Sequence, residues 1–242
     1  MCIAVVKKSN NENFSFFIAF VRDEIFGKQW LPLGKHWPDY TESYGYKDVE
    51  TGGAWLSYNN FVLAITINKE IFDNSGELTR AFLSLEATQN SRNANEAVNK
   101  VKMLMTDQIR PFNLIIIDKQ QAFLASNTWE YAVLSELMVT ELLEEITFIN
   151  RSFPNDMSEP RIAGNLQYFN DIFEPDPLRN EWSAWEHQMT IESYVILKND
   201  EKTLWLESQT WGSLNADIIS ISRKGQPPFD IHHVKERSMH EC

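Results

Sequence analysis

The feature that most constrains the fold is a pair of apolar segments at the start of the chain. Residues 2–7 and 14–21 are strongly apolar, and residues 8–13 between them are polar. Two such segments joined by a short polar loop predict an antiparallel hairpin. If Lys7 pairs near Phe14, the ladder places Cys2 opposite about Val21. The first thiol of the chain is therefore expected beside the residues that follow Val21.

Three charged residues, Arg22, Asp23 and Glu24, follow directly after the second apolar segment. Charged residues commonly mark the point where a buried strand leaves the core, so the triplet can be a solvated strand exit. The same triplet, placed beside Cys2, also suits the edge of a functional site. The residues alone leave both interpretations open, and the strand exit is the commoner case.

The composition predicts a globular protein. Apolar residues make up 43% and charged residues 23% of the 242 residues, enough for one large domain or two small ones. The net charge of −12 argues against nonspecific binding to nucleic acid or to an anionic membrane. The two cysteines, Cys2 and Cys242, form no disulfide framework, which is typical of a reducing compartment. Without a membrane-spanning run or a signal peptide, the chain is expected to be soluble and cytoplasmic.

The rest of the chain alternates between strand-like and helix-like segments. Residues 25–53, rich in Trp, Tyr, Pro and Gly, predict a long ordered loop packed by its aromatic side chains. The paired glycines Gly52 and Gly53 predict a turn with unusual dihedral angles or a close backbone approach. Residues 131–149 are ambiguous between helix and strand. The other predicted strands are residues 54–57, 61–67, 112–118, 121–126, 203–209, 215–222 and 229–235.

The predicted helices alternate with these strands. The first helix is predicted to begin at residues 74–77. The other three are predicted over residues 94–105, 160–173 and 178–189. The order indicates one α+β domain over residues 1–242, in which helix pairs pack on antiparallel sheets and bury both apolar faces.

Six short motifs occur in an order that is found in a known family. They are Met1-Cys2-Ile3, Arg22-Asp23-Glu24, Gly52-Gly53-Ala54-Trp55-Leu56, Ser75-Gly76-Glu77-Leu78, Phe112-Asn113-Leu114-Ile115 and Glu236-Arg237-Ser238-Met239. Because it carries these motifs in this order, the chain resembles the Asn-Arg-Asp-Glu family, also called the transport and Golgi organisation family. The resemblance implies the four-layer αββα sandwich of the N-terminal nucleophile hydrolases, with Cys2 as the nucleophile once Met1 is removed. It also implies a link with haem trafficking, which is associated with eukaryotic members.

The chemistry of such a site follows from its groups. An N-terminal Cys carries both nucleophile and base, because its own α-amine accepts the thiol proton near neutral pH. A nearby Arg lowers the pKa of the thiol, an Asp orients the ammonium group, and amide donors stabilise the tetrahedral oxyanion. The resemblance assigns the first three roles to Cys2, Arg22 and Asp23, and the oxyanion donor to Asn150. No cofactor and no metal are required.

Several positions depart from the family pattern. Val21 and Ile67 stand where the family has Asn, and Leu214 stands where it has Arg. Asn68 comes one residue late and would point to the opposite face of its strand. Losing one oxyanion donor costs on the order of 10²–10³ in rate. These replacements predict that the site is weakened or inactive.

The histidines do not predict a metal site. His232 and His233 are adjacent on a predicted strand and therefore face opposite ways. His240 lies in a terminal tail, and His36 and His187 have no partners at zinc-ligand spacing. We interpret the histidines as surface residues and keep a haem ligand among them as the alternative.

Three functions remain open at this stage. The first is a hydrolase of nonpeptide carbon–nitrogen bonds, with Cys2 as nucleophile and base. The second is a binding or trafficking protein for haem or another apolar small ligand, suggested by the apolar residues Ile67 and Leu214. The third is a structural relic that contacts a protein partner through the aromatic segment 30–46.

Overall fold

The structure, a computed structural model, describes residues 2–69, 79–105, 109–127, 129–130, 133–134, 137–194, 203–225 and 227–237. The backbone divides into two compact units. Unit 1 comprises residues 1–28, 144–224 and 230–242, and unit 2 comprises residues 29–143 and 225–229. Within the described ranges no helix is both long and apolar enough to cross a membrane.

The elements are numbered in chain order. They are β1 (Ile3–Lys8), β2 (Phe14–Ile25), β3 (Trp30–Gly34), β4 (Tyr44–Asp48), β5 (Ala54–Tyr58), β6 (Leu63–Asn68), α1 (Leu83–Thr88), α2 (Ala94–Leu104), β7 (Phe112–Ile117), β8 (Ala122–Ser126), β9 (Trp129–Glu130), β10 (Val133–Leu134), β11 (Met138–Glu141), β12 (Ile146–Ile149), α3 (Pro160–Ala163), α4 (Leu166–Asp171), the 3₁₀ turn η1 (Pro177–Arg179), α5 (Ser183–Thr190), β13 (Glu192–Tyr194), β14 (Trp205–Glu207), β15 (Trp211–Ser222) and β16 (Phe229–Glu236).

Unit 1 is built on one sheet with the strand order β12-β1-β2-β15-β14-β13, and β16 also pairs with β15. One face of this sheet packs against helices. Ile3, Val21 and Ala216 lie in the same buried cluster as Phe169 of α4 and Trp185 of α5. Because side chains alternate along a strand, the residues next to these three point to the opposite face. We call the two sides the helix face and the opposite face.

Unit 2 has its own sheet, in the order β11-β8-β7-β6-β5-β4-β3, and its own helices α1 and α2. Helix α2 begins at Asn93, whose side chain accepts a hydrogen bond from the backbone of Glu96. Its buried residues Ala94, Val98 and Val101 pack in one cluster with strands of this sheet. The predictions of α2 and of strands β5, β6, β7 and β8 are confirmed. The single domain over residues 1–242 and the αββα layering stay predictions.

The hairpin prediction is confirmed, but its register and length were wrong. Lys7 pairs with Phe17, and Ile3 pairs with Val21. The ladder continues to Ser9, whose N–H donates to the Ser15 carbonyl at 2.8 Å, so the turn is shorter than expected. Strand β2 also does not end at residue 21. It runs to Ile25 because β15 pairs with it along its whole length.

The long loop over residues 25–53 was also a wrong prediction, because this segment contains β3 and β4. Its aromatic residues pack across strands instead of within a loop. The Trp30 ring lies 5.5 Å from that of Tyr46, and Tyr46 stacks on Trp55 at 5.2 Å. Gly52 has a φ of +74°, and a Cβ on Gly53 would lie 2.3 Å from the Ala81 carbonyl oxygen. Both expectations for the paired glycines are therefore confirmed.

Two predicted helices are shorter than expected. Residues 160–173 form two helices, α3 and α4, because the helix is interrupted at Gly164. The Asn165 side-chain amide donates a hydrogen bond to the Arg161 carbonyl at 2.7 Å. Residues 178–189 form η1 and α5, separated by Asn180 with a φ of +56°. The ambiguous segment 131–149 contains β11 and β12. The helix start predicted at residues 74–77 lies outside the described residues.

Candidate active site

Cys2 directly precedes β1, and its side chain is 9% exposed. Its Sγ donates a long hydrogen bond, 3.7 Å, to the backbone carbonyl of Asp23 on β2. The thiol therefore lies beside the charged triplet, as the hairpin predicted, although one step along the ladder from Val21.

The triplet is not a solvated strand exit. Arg22 is 3% exposed and Asp23 is 6% exposed, and both lie within β2. Glu24 is partly buried and lies 3.7 Å from the Arg22 guanidinium. Since successive residues of a strand face opposite ways, Arg22 and Asp23 send their side chains to different faces of the sheet.

The carboxylate of Asp23 is held by two residues from distant parts of the chain. Arg161 on α3 donates to both of its oxygens, at 2.5 and 3.3 Å. Ser213 on β15 donates to Oδ1 at 2.6 Å. Arg161 also donates to the backbone carbonyls of Thr203 and Leu204. Its charge is therefore paired with Asp23, and these further hydrogen bonds fix the orientation of its guanidinium group. Sequence reasoning missed Arg161 and Ser213, since neither carries a local signal.

These contacts determine the charge state of Asp23. Burial alone would raise its pKa. The positive charge of Arg161, with the hydrogen bonds from Arg161 and Ser213, outweighs burial, so the pKa of Asp23 lies below its ordinary value. Asp23 is therefore an anchored carboxylate on the helix face, and its backbone carbonyl is the part that contacts Cys2.

The thiol of Cys2 behaves differently from the sequence expectation. Burial raises its pKa, the negative charge of Asp23 raises it further, and Arg22 lowers it only in part. The expectation that Arg22 gives a net lowering was wrong, because desolvation of a buried thiolate is the larger effect. Ionisation of this thiol therefore needs a base close to it.

Strand β15 carries a bulge next to the site. Ser213 pairs with Asp23 and Asn215 pairs with Arg22, so Leu214 is the extra residue. Without the bulge, Ser213 and Asn215 would share one face of the sheet. With it, Ser213 bonds to Asp23, while Asn215 lies on the opposite face with Arg22.

A second hydrogen-bonded group lies on the opposite face. The Nδ2 of Asn215 donates to Asp217 at 2.8 Å. The fully buried Asp217 carboxylate also pairs with Nδ1 of His233 on β16 at 2.9 Å. The hydrogen bond to Asp217 is the main cause that raises the pKa of His233, against the lowering effect of burial. His233 was interpreted from the sequence as a surface residue, but the structure pairs it with a buried carboxylate.

The raised pKa of His233 makes part of the stability depend on pH. A group whose pKa is raised by folding stabilises most fully below its ordinary pKa, and this contribution is lost as the pH rises through the raised value. We expect His233→Gln to lower the free energy of unfolding by about 1 kcal/mol near pH 6 and by less near pH 9, since His233 is half-exposed. Urea unfolding at both pH values measures this. Glu236→Gln, at the exposed end of the same ring and 3.5 Å from it, is the control with a smaller effect. A larger effect at pH 9 than at pH 6 would contradict the assignment.

Asn150 directly follows β12, which pairs with β1 on the side away from β2. It is 5% exposed, and its Oδ1 accepts a hydrogen bond from the Ser152 backbone at 2.8 Å. This bond orients the side-chain amide. Arg22 on β2 is next to the residue that pairs with Ile3, whereas the pairing of Ala4 with Ile149, continued by one residue, places Asn150 opposite Ile3 and one residue along from Cys2.

The departures from the family pattern occupy packed positions. Leu214 is 4% exposed and Ile67 is fully buried. Asn68 is exposed, so the expectation that it faces away from Ile67 is confirmed. The tail with His240 and Cys242 lies outside the described residues.

The backbone resembles that of a solved amidase. The Caenorhabditis elegans N-acylethanolamine-hydrolyzing acid amidase ortholog superposes with a TM-score of 0.59. The match covers 90% of this chain and 92% of that one, at 9% sequence identity. This similarity shows the fold alone, which is of the N-terminal nucleophile hydrolase type.

The sequence then identifies the family. The sequence model of the Transport and Golgi organisation 2 family matches residues 1–226, and the chain belongs to that family. No curated protein matches the chain in sequence. The scaffold is thus hydrolase-like in fold and the family is established.

Proposed function

We propose that this protein is an N-terminal-Cys amidohydrolase that cleaves nonpeptide carbon–nitrogen bonds on a four-layer αββα scaffold. The observation that carries the proposal is the placement of Cys2. Its thiol lies at the start of β1, in contact with Asp23 and close enough to Arg22 for that charge to affect its ionisation. The fold shared with an amidase supports the same class of reaction.

The proposed reaction begins once Met1 is removed. The α-amine of Cys2 takes the thiol proton, and Sγ attacks the amide carbonyl carbon. The tetrahedral oxyanion is stabilised by the Asn150 amide and the Arg22 charge. The ammonium group returns the proton to the leaving amine, and water then hydrolyses the thioester. Asp23, anchored by Arg161, holds the local backbone in place.

The raised pKa of the buried thiol makes the α-amine essential to this proposal. A thiol without an adjacent base stays protonated at neutral pH and reacts slowly with alkylators. The native terminus and a terminus extended by a few residues should therefore differ strongly in the reactivity of Cys2.

The test is intact mass of the native-terminus protein before and after brief alkylation near pH 7. We expect loss of one methionine and fast labelling that Cys2→Ala removes and Cys242→Ala does not. The N-terminally extended chain is the matched control and should label slowly. Turnover in an amide screen should fall by on the order of 10³ or more in Cys2→Ala. Retained Met1, or an inert Cys2 in the native-terminus chain, would contradict the hydrolase.

Binding of haem or another apolar ligand stays a prediction. The two residues that suggested it, Ile67 and Leu214, are buried in the packed sheets. No contact among the described residues favours this function over the hydrolase.

A further inference from the structure

A buried amide oxygen on β15 has no role in the reaction described above. Asn215 is fully buried, and its Oδ1 accepts no hydrogen bond from the part of the chain that the structure describes. An unpaired buried acceptor lowers the stability of the folded chain. Such an atom calls for an explanation, and a ligand that donates a hydrogen bond to it is one.

The orientation of this amide is set by its neighbours. The NH₂ group of Asn215 is the end that faces Asp217 and donates to its Oδ2 at 2.8 Å. His233 holds Asp217 from its other oxygen. The carbonyl end of Asn215 is therefore turned away from Asp217 by a fixed network.

Asn215 belongs to the same row of the sheet as Cys2 and Arg22. Ile3, Val21 and Ala216 form one row across β1, β2 and β15, and all three lie on the helix face. The neighbouring row contains Cys2, Arg22 and Asn215, which by alternation face the opposite side. Nucleophile and unpaired acceptor thus share one face, with a guanidinium between them.

The spacing of the row sets the size of what fits between its ends. Neighbouring strands are about 4.8 Å apart, so Cys2 and Asn215 are separated by roughly 10 Å at the backbone. An attacking sulfur needs about 3 Å to the carbonyl carbon, and a hydrogen bond spans about 2.9 Å. About 4 Å remains, which is the length of three or four covalent bonds.

We propose that Asn215 determines specificity by accepting a hydrogen bond from a hydroxyl or N–H group that the substrate carries three or four bonds beyond the carbonyl that Cys2 attacks. This inference rests on the proposed function and adds a substrate class to it, namely amides with a second hydrogen-bond donor. Asp217 and His233 act as positioning residues through Asn215.

The test compares two alkylators of matched size, 1-chloro-4-hydroxybutan-2-one and 1-chloropentan-2-one, and the hydroxyl of the first lies four bonds from the carbon that Cys2 attacks. They differ only in a hydroxyl against a methyl group. All chains carry Cys242→Ala, so that intact mass reports the second-order labelling rate at Cys2 alone. For each chain, the labelling rate with the hydroxyl probe is divided by the rate with the methyl probe. This ratio is then divided by the same ratio measured for glutathione, and the resulting value reports recognition by the protein. We expect a value of about 2–10, the size of one hydrogen bond.

Two substitutions on β15 make the comparison specific. Asn215→Leu, similar in shape, should bring the value to about 1, the limit without a hydrogen bond. Ser220→Ala is the matched control. Ser220 is also buried with an unpaired hydroxyl among the described residues, but it lies on the helix face, and its removal should leave the value unchanged.

Each outcome decides the inference. A value near 1 in the native chain, a value unaffected by Asn215→Leu, or a Cys2 that neither probe labels would overturn it. If Asn215→Leu fails to fold, the comparison of the native chain with glutathione decides. A chain that prefers the hydroxyl probe but hydrolyses no amide keeps the inference and loses the hydrolase. A chain that hydrolyses amides but shows no preference for the hydroxyl probe keeps the hydrolase and loses the inference.

Discussion

Asp23→Asn is expected to lower the free energy of unfolding by about 3–5 kcal/mol, because it leaves the buried Arg161 without its counter-charge. The Arg161 guanidinium contacts both oxygens of Asp23, and both side chains are almost completely buried. Removing one member of such a pair leaves an uncompensated charge in the interior. Urea unfolding followed by circular dichroism measures the loss.

Arg179→Gln is the matched control for this prediction. Arg179 forms an ion pair with Asp176, but its side chain is 76% exposed. An exposed pair contributes at most about 1 kcal/mol. Equal losses in the two variants would mean that the Arg161–Asp23 pair is not the buried anchor.

The same pair gives a pH dependence of defined sign. The pKa of Asp23 is lowered by folding, so its stabilisation is present above the ordinary Asp pKa near 3.9 and is lost as the pH falls through the lower folded value. The free energy of unfolding of the wild-type protein should therefore fall as the pH is lowered below about 4, and Asp23→Asn should show less of this loss.

Trp185→Ala should have a comparable effect, about 3–5 kcal/mol of stability, because it leaves a large cavity. Trp185 on α5 is fully buried. Its ring packs edge-on against Phe169 at 4.9 Å and against Phe17 of β2 at 6.1 Å. It therefore joins both the helices and the strand that carries Arg22 and Asp23.

Trp185→Phe is the matched substitution that keeps an aromatic ring in the core. The indole Nε1 of Trp185 is buried and has no hydrogen-bond partner within the described ranges. Replacement by Phe keeps an aromatic ring and removes this N–H, so it should cost clearly less than replacement by Ala. The loss should be measured as the change in urea midpoint at constant slope. An equal cost for the two variants would contradict the prediction that the volume of the aromatic ring stabilises the core.

The two predictions describe the support of the candidate site. Strand β2, whose end contacts Cys2, is tied to α3 at that end through Asp23 and Arg161. Nearer its start it is tied to α5 through Phe17 and Trp185. If the proposed reaction occurs, variants of this support should lose stability first, whereas Cys2→Ala should lose activity with little change in stability.

Local patterns were enough to predict much of the secondary structure. Apolar runs separated by polar turns predicted the β1–β2 hairpin and the β7–β8 pair, since period and turn chemistry are local properties. Helical spacing of apolar residues predicted α2. The six ordered motifs predicted the family, and Cys2 beside Arg22 and Asp23 followed from the hairpin.

The predictions that failed depended on distant partners. Of the two interpretations left open for Arg22 and Asp23, the solvated strand exit is the wrong one, because Asp23 is neutralised by residues that are distant in sequence. Its partners lie 138 and 190 residues further along the chain, at Arg161 and Ser213. The single helix predicted over residues 160–173 is instead divided into α3 and α4. Here the reason is local, because the break at Gly164 and the hydrogen bond from the Asn165 side chain to the Arg161 carbonyl outweigh the helical periodicity.

The sequence by itself determined the hairpin, the family, and the presence of a thiol beside a charged triplet, because these follow from residue order and local chemistry. The tertiary structure alone decided which charges are buried and which face each one occupies. The bulge at Leu214 is the clearest case, because one extra residue sends Ser213 to Asp23 and Asn215 to the side of Arg22. A bulge is defined by the pairing of two strands, so no pattern within β15 alone could predict it.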